Sequence, residues 1–528
     1  MKAISRRCEM DFKIIWKSSR AVCIELVNEG IVYTDPYTLV IDGKPMLTSD
    51  RVVQSMYGLK PDTEYSLQLS RGDSVSSEIT FKTEAEFVTL NVRDFGAIGD
   101  DVHNDTLAIQ AAILSCPPHS RVYVPEGIYK VSSLFMKSGI IFELGKGAVL
   151  SAYTERTYFP ILPGLIQSYD ETSEYNLASW EGNPLDSFAS IITGIGVSDV
   201  TICGEGTIEG NATYENWWEG EGRKKTGGAF RPRTIFLNRC KDVTIQGIRI
   251  KNSPAWTVHP YFSENIRILD ISLNNPKVSP NTDGIDPESV KNLEIVGVHF
   301  SLGDDCIAIK SGKRYMGHAY VTPSENIEIR QCHMQYGHGS VTLGSEISAG
   351  VRNLYCHDCI FEDTDRGLRI KTRRGRGKES IIDNIRFENI RMDGVLTPFV
   401  LNSFYWCCDP DGKSEYVRCK EPLPVDDRTP TVGRISFKNI EARNCHVAVT
   451  FMYGLPEAKV EELLFENVHI SFAEDPKPDY PAMMADVEPC TRKGAFIRNC
   501  KKLVLKDVDI EGADGEAFDL GGIDLLER

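Results

Sequence analysis

The chain is poor in the features that mark several protein classes. None of its apolar runs approaches the roughly 18 residues that cross a bilayer as a helix, so no membrane span is expected in the 528 residues. The opening MKAISRRCEMDFKIIWKSSR carries early positive charge but no uninterrupted apolar stretch before the next charges. No signal peptide is read there; a cytoplasmic location is expected, with export by a non-standard route left open. Disulfide framework spacing is missing. The 15 cysteines are odd in number and scattered, as free thiols in a reducing compartment would be. Cys356 and Cys359 form a lone C-x-x-C with no second pair, so no zinc site is expected, and the adjacent Cys407 and Cys408 read as structural. Positive charge is scarce: 59 Lys and Arg face 75 Asp and Glu, a net charge of -16. That excludes a nucleic-acid partner. It also counts at first sight against a polyanionic ligand, although the local field of a cleft, not the total charge, decides binding. No cofactor motif is visible.

What is present is enough apolar residue, 41%, for a large core, in a chain long enough for two domains or one long solenoid. Residues 1–87 read as a small β-sandwich. FKIIW, AVCIELV, TLVIDG, EYSLQLS and SEITFKT are short alternating strands between turns. Leu59, Pro61, Thr63 and Tyr65 fall where fibronectin type III domains carry their tyrosine corner, and the stretch resembles that family. Such a unit would be either a sugar binder or, as we favour, a spacer or lid packed on the larger C-terminal part of the chain.

The texture changes near Leu90, and residues 88–528 read as a parallel β-helix. Asp105 or Thr106 is placed to cap a short amphipathic helix through Ile109 and Ile113, which would cover an open solenoid end. From about residue 190 a repeat recurs: Asn or Asp, then alternating apolar positions. Its copies start at Asp242, Asn265, Asn292, Asn326, Asn353 and Asn384, spaced 23 to 34 residues apart, with later ones near Arg434, Glu462 and Lys502. Strands and small turns with almost no helix between them indicate a solenoid rather than alternating βα units.

Each central copy has a second strand-like piece: Gly284-Ile285-Asp286, Cys306 to Lys310, Ser340 to Gly344 and Gly367 to Lys371. Chemistry-bearing residues sit at or just before them. They are Asn281 and Asp283, then Asp304 and Asp305, then His338, then Arg369 and Lys371. Asp304 and His338 both lie 12 residues after the Asn of their repeat, so they should stack. With about 4.8 Å between rungs, three carboxylates, an imidazole and two cations would share one patch two to three sugar rings long. Splitting a glycosidic bond needs a carboxylic acid for the leaving oxygen and a carboxylate for water or carbon. Crowded like charges keep one carboxyl protonated, and Arg369 and Lys371 suit a uronic acid. Any one of these motifs alone is an ordinary turn or strand; the order and register of all four carry the reading.

The four motifs, with Asp94-Phe95-Gly96, Gly204 to Gly210, Trp217-Trp218, Arg231-Pro-Arg233 and Asn252 to Trp256, resemble glycoside hydrolase family 28, and within it the polygalacturonases, over roughly residues 88 to 470. The resemblance implies a right-handed parallel β-helix that hydrolyses α-1,4-linked galacturonic acid of pectin with inversion, using no cofactor and no metal. It implies Asp304 as general acid, Asp283 and Asp305 holding and deprotonating water, and His338 tuning the acid. Arg369 and Lys371 would bind a uronate, with Asn281, Lys310 and Trp256 as further substrate contacts. A tyrosine from a later coil is assigned to Tyr405, with Phe404 and Trp406 competing for the position. Residues 366 to 378, with five arginines and two lysines, together with Lys310, Lys313, Arg314 and His318, would make a local positive field.

Insertions near 153 to 190, 211 to 230 and 402 to 430, with the fibronectin-like unit, resemble the exo-acting bacterial members, and so an intracellular bacterial enzyme finishing imported oligomers. The competing readings are a rhamnogalacturonan or xylogalacturonan hydrolase, an endo-acting enzyme, a pectate lyase using Asp283, Asp304 and Asp305 as calcium ligands, and a non-catalytic adhesin or binding module on the same fold.

Overall fold

The computed structural model describes residues 10–168, 170, 174–218, 229–406 and 412–528; Cys407 and Cys408 lie outside these. From Thr89 to Glu527 the chain winds into a right-handed parallel β-helix with three ladders of strands. Thr89–Asn91 already pairs in parallel with Ser120–Val124, at the boundary read near residue 88 and about a hundred residues before the repeat becomes legible.

One inward column shows why the sequence builds this shape. Val122, Phe142, Ile202, Ile245, Ile268, Ile295 and Ile329 are consecutive register partners, and all are fully buried in the main core. Parallel in-register stacking places each apolar position of the repeat over its predecessor, so the alternation becomes a continuous core. The asparagines that open the repeat turn the chain. Asp242, Asn265, Asn292, Asn326, Asn353 and Asn384 all have left-handed φ between 54° and 57°, which Asn and Asp tolerate best among residues with a side chain. Their side chains form a ladder. Each amide donates to the residue one rung below, at 2.7 to 3.1 Å.

The helix forms at Thr106–Ser115 and takes the place of the third strand in the first coil. Its Gln110 amide donates to Phe135 O at 2.9 Å and accepts from Phe135 N at 2.8 Å, closing the edge of the third ladder. Asp105 occupies the cap position, but its carboxylate binds the amides of Ile98 and Gly99 instead of the helix. The helix is less amphipathic than expected: Ile109 and Ile113 are buried, while Leu107 and Leu114 on the outside are exposed. Cys356 and Cys359 point into the core with their sulfurs 4.0 Å apart.

Residues 10–87 form two antiparallel sheets around a separate core. All five predicted strands are present; Lys44–Arg51 and Val53–Tyr57 are additional. Tyr65 Oη accepts from Lys60 N at 2.9 Å, so the corner motif bonds back to the chain upstream. This unit is fixed to the β-helix by polar contacts and a small apolar patch. Glu25 meets Arg330 at 3.1 Å with both side chains buried, Arg51 meets Asp270 at 2.7 Å, and Trp16 and Val53 pack on Leu269 and Val296. No helix among the described residues is long and apolar enough to cross a membrane.

Candidate active site

The third ladder carries the chemistry. Ile285 bridges Ile307, Ile307 pairs with Val341, and Val341 pairs with Leu368, which is the register read from the repeats. The turns entering these rungs bring Asn281, Asp283, Asp304, Asp305 and His338 into the lining of one cavity of about 780 Å³, with Arg369 and Lys371 rising from its floor. Trp256, Lys310 and Tyr405 line it as well. Glycines clear the space. A side chain at Gly339 would lie 2.9 Å from a carboxylate oxygen of Asp305, and one at Gly284 would lie 2.5 Å from Cys306 O.

The three aspartates offer oxygens that all fall within 4.8 Å of one another, but their surroundings differ. Asp305 is buried and accepts from Arg369 Nη1 at 3.0 Å and Lys371 Nζ at 2.8 Å. Burial pushes its carboxyl up, yet Lys371 and then Arg369 outweigh that and hold it well below the usual carboxylate range. Asp283 is buried without such cations. Burial first, then Asp286 and Asp304, push it well above that range, against the pull of Lys310. Asp304 is the most exposed of the three and accepts from the amide of Asp305 at 2.9 Å. His338 Nδ1 lies 2.7 Å from Asp365, a hydrogen bond that raises the imidazole above its ordinary value, and nearby Asp304 adds to the effect. The cluster thus combines one firmly ionised carboxylate, Asp305, a second, Asp283, that burial pushes toward its neutral form, and a half-exposed imidazole favouring its charged form. The same three carboxylates are spaced to hold a cation, although Asp305 already has two.

Other predicted residues play more structural parts than expected. Lys310 is only 4% exposed and ion-paired to Glu346 at 3.2 Å and Asp286 at 3.5 Å. Trp256 is 3% exposed, held between the stacked Trp180 and the Lys310 ammonium. Asn281 accepts from Arg231 Nη2 at 2.8 Å, which gives the Arg231-Pro-Arg233 motif its purpose. Trp217 and Trp218 are core residues. Tyr405 and Trp406 line the cavity, while Phe404 turns into a core cluster.

The expected field is mixed rather than positive. Arg366, Arg369 and Lys371 line the cavity, but Arg374 is buried against Glu457 at 2.6 Å. Glu181, Glu346, Asp365 and Asp479 add acids to the lining. These four and the segment Tyr480 to Ala485 were not foreseen. Asp365 sits next to a strand of the motif set and was within reach of the register argument. Glu346 follows the strand Val341–Gly344 by two residues and was within the same reach, whereas Glu181, Asp479 and the Tyr480 to Ala485 segment lie outside the repeat, with no periodicity to place them.

These stretches wall the cavity. A hairpin pairing Ile161–Leu162 with Ser187–Phe188 anchors the stretch that delivers Trp180 and Glu181. Across the site, the 474 to 490 stretch is tied down by Arg366 Nη2 to Tyr480 O at 2.6 Å, Asn402 Nδ2 to Met483 O at 2.9 Å and a Tyr405–Met484 bridge.

A parallel β-helix with grouped carboxylates in a walled cavity on one ladder is the arrangement of a polysaccharide-cleaving enzyme, and comparison with known proteins agrees. The profile of glycosyl hydrolases family 28 matches residues 168–471, and that of rhamnogalacturonase A/epimerase, pectate lyase-like proteins matches 89–154. A probable polygalacturonase of Vitis vinifera is 30% identical over 438 residues, 80% of this chain and 83% of its own. Among solved structures, the family 28 exopolygalacturonase of Yersinia enterocolitica superposes with a TM-score of 0.71 at 18% identity, covering 98% of both chains. The hyperthermoactive exopolygalacturonase of Thermotoga maritima gives 0.61 at 26% identity, covering 74% of this chain and 89% of that one. The chain belongs to glycosyl hydrolase family 28 and is a glycoside hydrolase.

Proposed function

We propose that the protein is an exo-acting polygalacturonase, which cleaves α-1,4-linked galacturonic acid from chain ends of pectic polymers or oligomers with inversion. The observation that carries the reading is the contact of Asp305 with both Arg369 and Lys371. Two cations at the cleavage point keep one carboxylate ionised as a base. They retain spare donors, five on a guanidinium and three on an ammonium in general, for the carboxylate of a uronic acid. Asp304, the aspartate open to the cavity, donates the proton to the leaving oxygen. Asp283 and Asp305 hold the attacking water, and His338 returns a proton to Asp304. Walls on both sides of the cavity support action at chain ends, and the relatives named as exopolygalacturonases agree.

The spacing of the aspartates also suits a divalent cation, as a pectate lyase would need. Against that reading, Asp305 is already neutralised by two side chains. The test is a time course of products from unesterified polygalacturonate, separated by size, with and without chelator. Saturated mono- or digalacturonate from the first minutes, little fall in viscosity and no effect of chelator are expected. A ladder of oligomers would overturn exo action. An unsaturated, ultraviolet-absorbing product lost with chelator would overturn hydrolysis.

A further inference from the structure

Glu181 stands at the tip of a firmly fixed turn. Trp180 and Asn183 exchange backbone hydrogen bonds at 2.9 and 3.1 Å, and Glu181 and Gly182 between them have φ of 46° and 71°. A two-residue turn of this kind needs left-handed backbone at both central positions, which a glutamate adopts only when the surroundings enforce it. The enforcement is visible. Trp180 stacks on Phe230 at 4.9 Å and on Trp256 at 5.9 Å, each within about 11° of parallel. Gly182 O accepts from Lys313 N at 3.0 Å. A side chain at Gly182 would lie 2.5 Å from that nitrogen and 2.9 Å from Glu346. The turn is wedged into the wall of the cavity, and it presents a carboxylate there.

That carboxylate is out of place in a cavity built for a polyuronate. Glu181 lines it beside Glu346, Trp256 and Lys310, is one-third exposed, and meets Lys313 Nζ at 3.4 Å. The charges of Glu181 and Glu346 are offset by Lys313 and Lys310, so what a further uronate ring would meet on this side is the wedged turn itself. A hydroxyl would instead find a fixed acceptor.

From this we infer that Glu181 selects the chain end: its carboxylate accepts a hydrogen bond from the free C4 hydroxyl of the non-reducing terminal sugar, and the turn that carries it blocks a continuing chain. The inference rests on the exo-polygalacturonase reading above. The non-reducing terminus is the better match for a rigid acceptor because its hydroxyl has one configuration, whereas the reducing terminus interconverts between anomers.

The test compares two trigalacturonates. One is saturated. The other carries the 4,5-unsaturated residue left by β-elimination and so lacks the C4 hydroxyl. The wild type should prefer the saturated trimer in kcat/KM by about ten- to a hundred-fold, as removal of a hydrogen bond to a charged group implies. In Glu181→Ala that ratio should fall toward one, and in Glu181→Gln, which keeps an acceptor but no charge, it should be intermediate. A trimer reduced to the alditol at its other end should show no such dependence on residue 181. An unchanged ratio in Glu181→Ala, with wild-type protein still releasing only mono- or digalacturonate, overturns the role of Glu181 and leaves the exo reading standing. Wild-type protein that cuts polygalacturonate internally overturns both.

Discussion

Lys371 Nζ donates to Asp305 at 2.8 Å across two rungs of the third ladder, and this contact ties the substrate-binding part of the site to its base. The sequence motif assigns Lys371 to a sugar carboxylate. In the structure it also sets the charge of an enzyme carboxylate. Lys371→Met should therefore alter more than affinity. Asp305 is held low by Lys371 ahead of Arg369, so without Lys371 its carboxyl rises and becomes protonated at higher pH. The acidic limb of kcat/KM should move to higher pH, alongside a raised KM. The stability sign is the same: a depressed carboxyl contributes stability above its unfolded value that is lost as pH falls through its folded value. The variant should unfold at a higher pH on acidification. A rise in KM with an unmoved acidic limb would show that Lys371 acts on substrate alone.

Asp304→Asn should lower kcat on oligogalacturonides by about 10²- to 10⁴-fold, the usual contribution of a positioned general acid. Its side chain is partly open to the cavity, so the melting temperature should change little. Near-normal turnover would remove Asp304 as the acid.

Asp365 is a positioning residue in this mechanism, acting on the reaction through His338. Its hydrogen bond is the largest contribution raising the His338 imidazole, so Asp365→Asn should lower the histidine's titration. The alkaline limb of kcat should move to lower pH, and the His338 ring proton followed by NMR should titrate earlier by the same amount. The sign for stability is opposite to that of Asp305: a raised imidazole contributes below its unfolded value and loses that contribution as pH rises through its folded value. If Asp365→Asn lowered kcat uniformly at all pH values, Asp365 would be structural only.

Arg330→Ala would leave Glu25 buried beside Lys13 alone, after the loss of its 3.1 Å partner. Removal of one member of a buried ion pair typically destabilises by about 3–5 kcal/mol. Thermal denaturation should show that loss, with kcat unchanged, because no described residue of the N-terminal sheets lines the cavity. A variant as stable as wild type would mean that the two parts are held together by Arg51 with Asp270 and by the Trp16 and Val53 patch.

Much of this was legible in the sequence because a solenoid repeats its physics. The left-handed asparagines mark each turn, and once Asn292 and Asn326 are aligned, Asp304 and His338 must stack. The strands Lys44–Arg51 and Val53–Tyr57 escaped because the first is largely polar and exposed and the second follows it after a single residue. Glu181 and Asp479 escaped for a different reason. Their positions depend on how non-repeating insertions fold back over the ladder, and no local period encodes that. The basic stretch around Arg374 misled because pairing across the fold cannot be read from local sequence. Glu457, far along the chain, takes up its charge.

The most direct test is proton NMR of oligogalacturonide digestion, recorded from the first minute. Hydrolysis with inversion of an α-linkage predicts saturated products whose new reducing ends appear first as the β anomer and then equilibrate. First-formed α anomer, or the vinyl proton of an unsaturated product, would contradict the account.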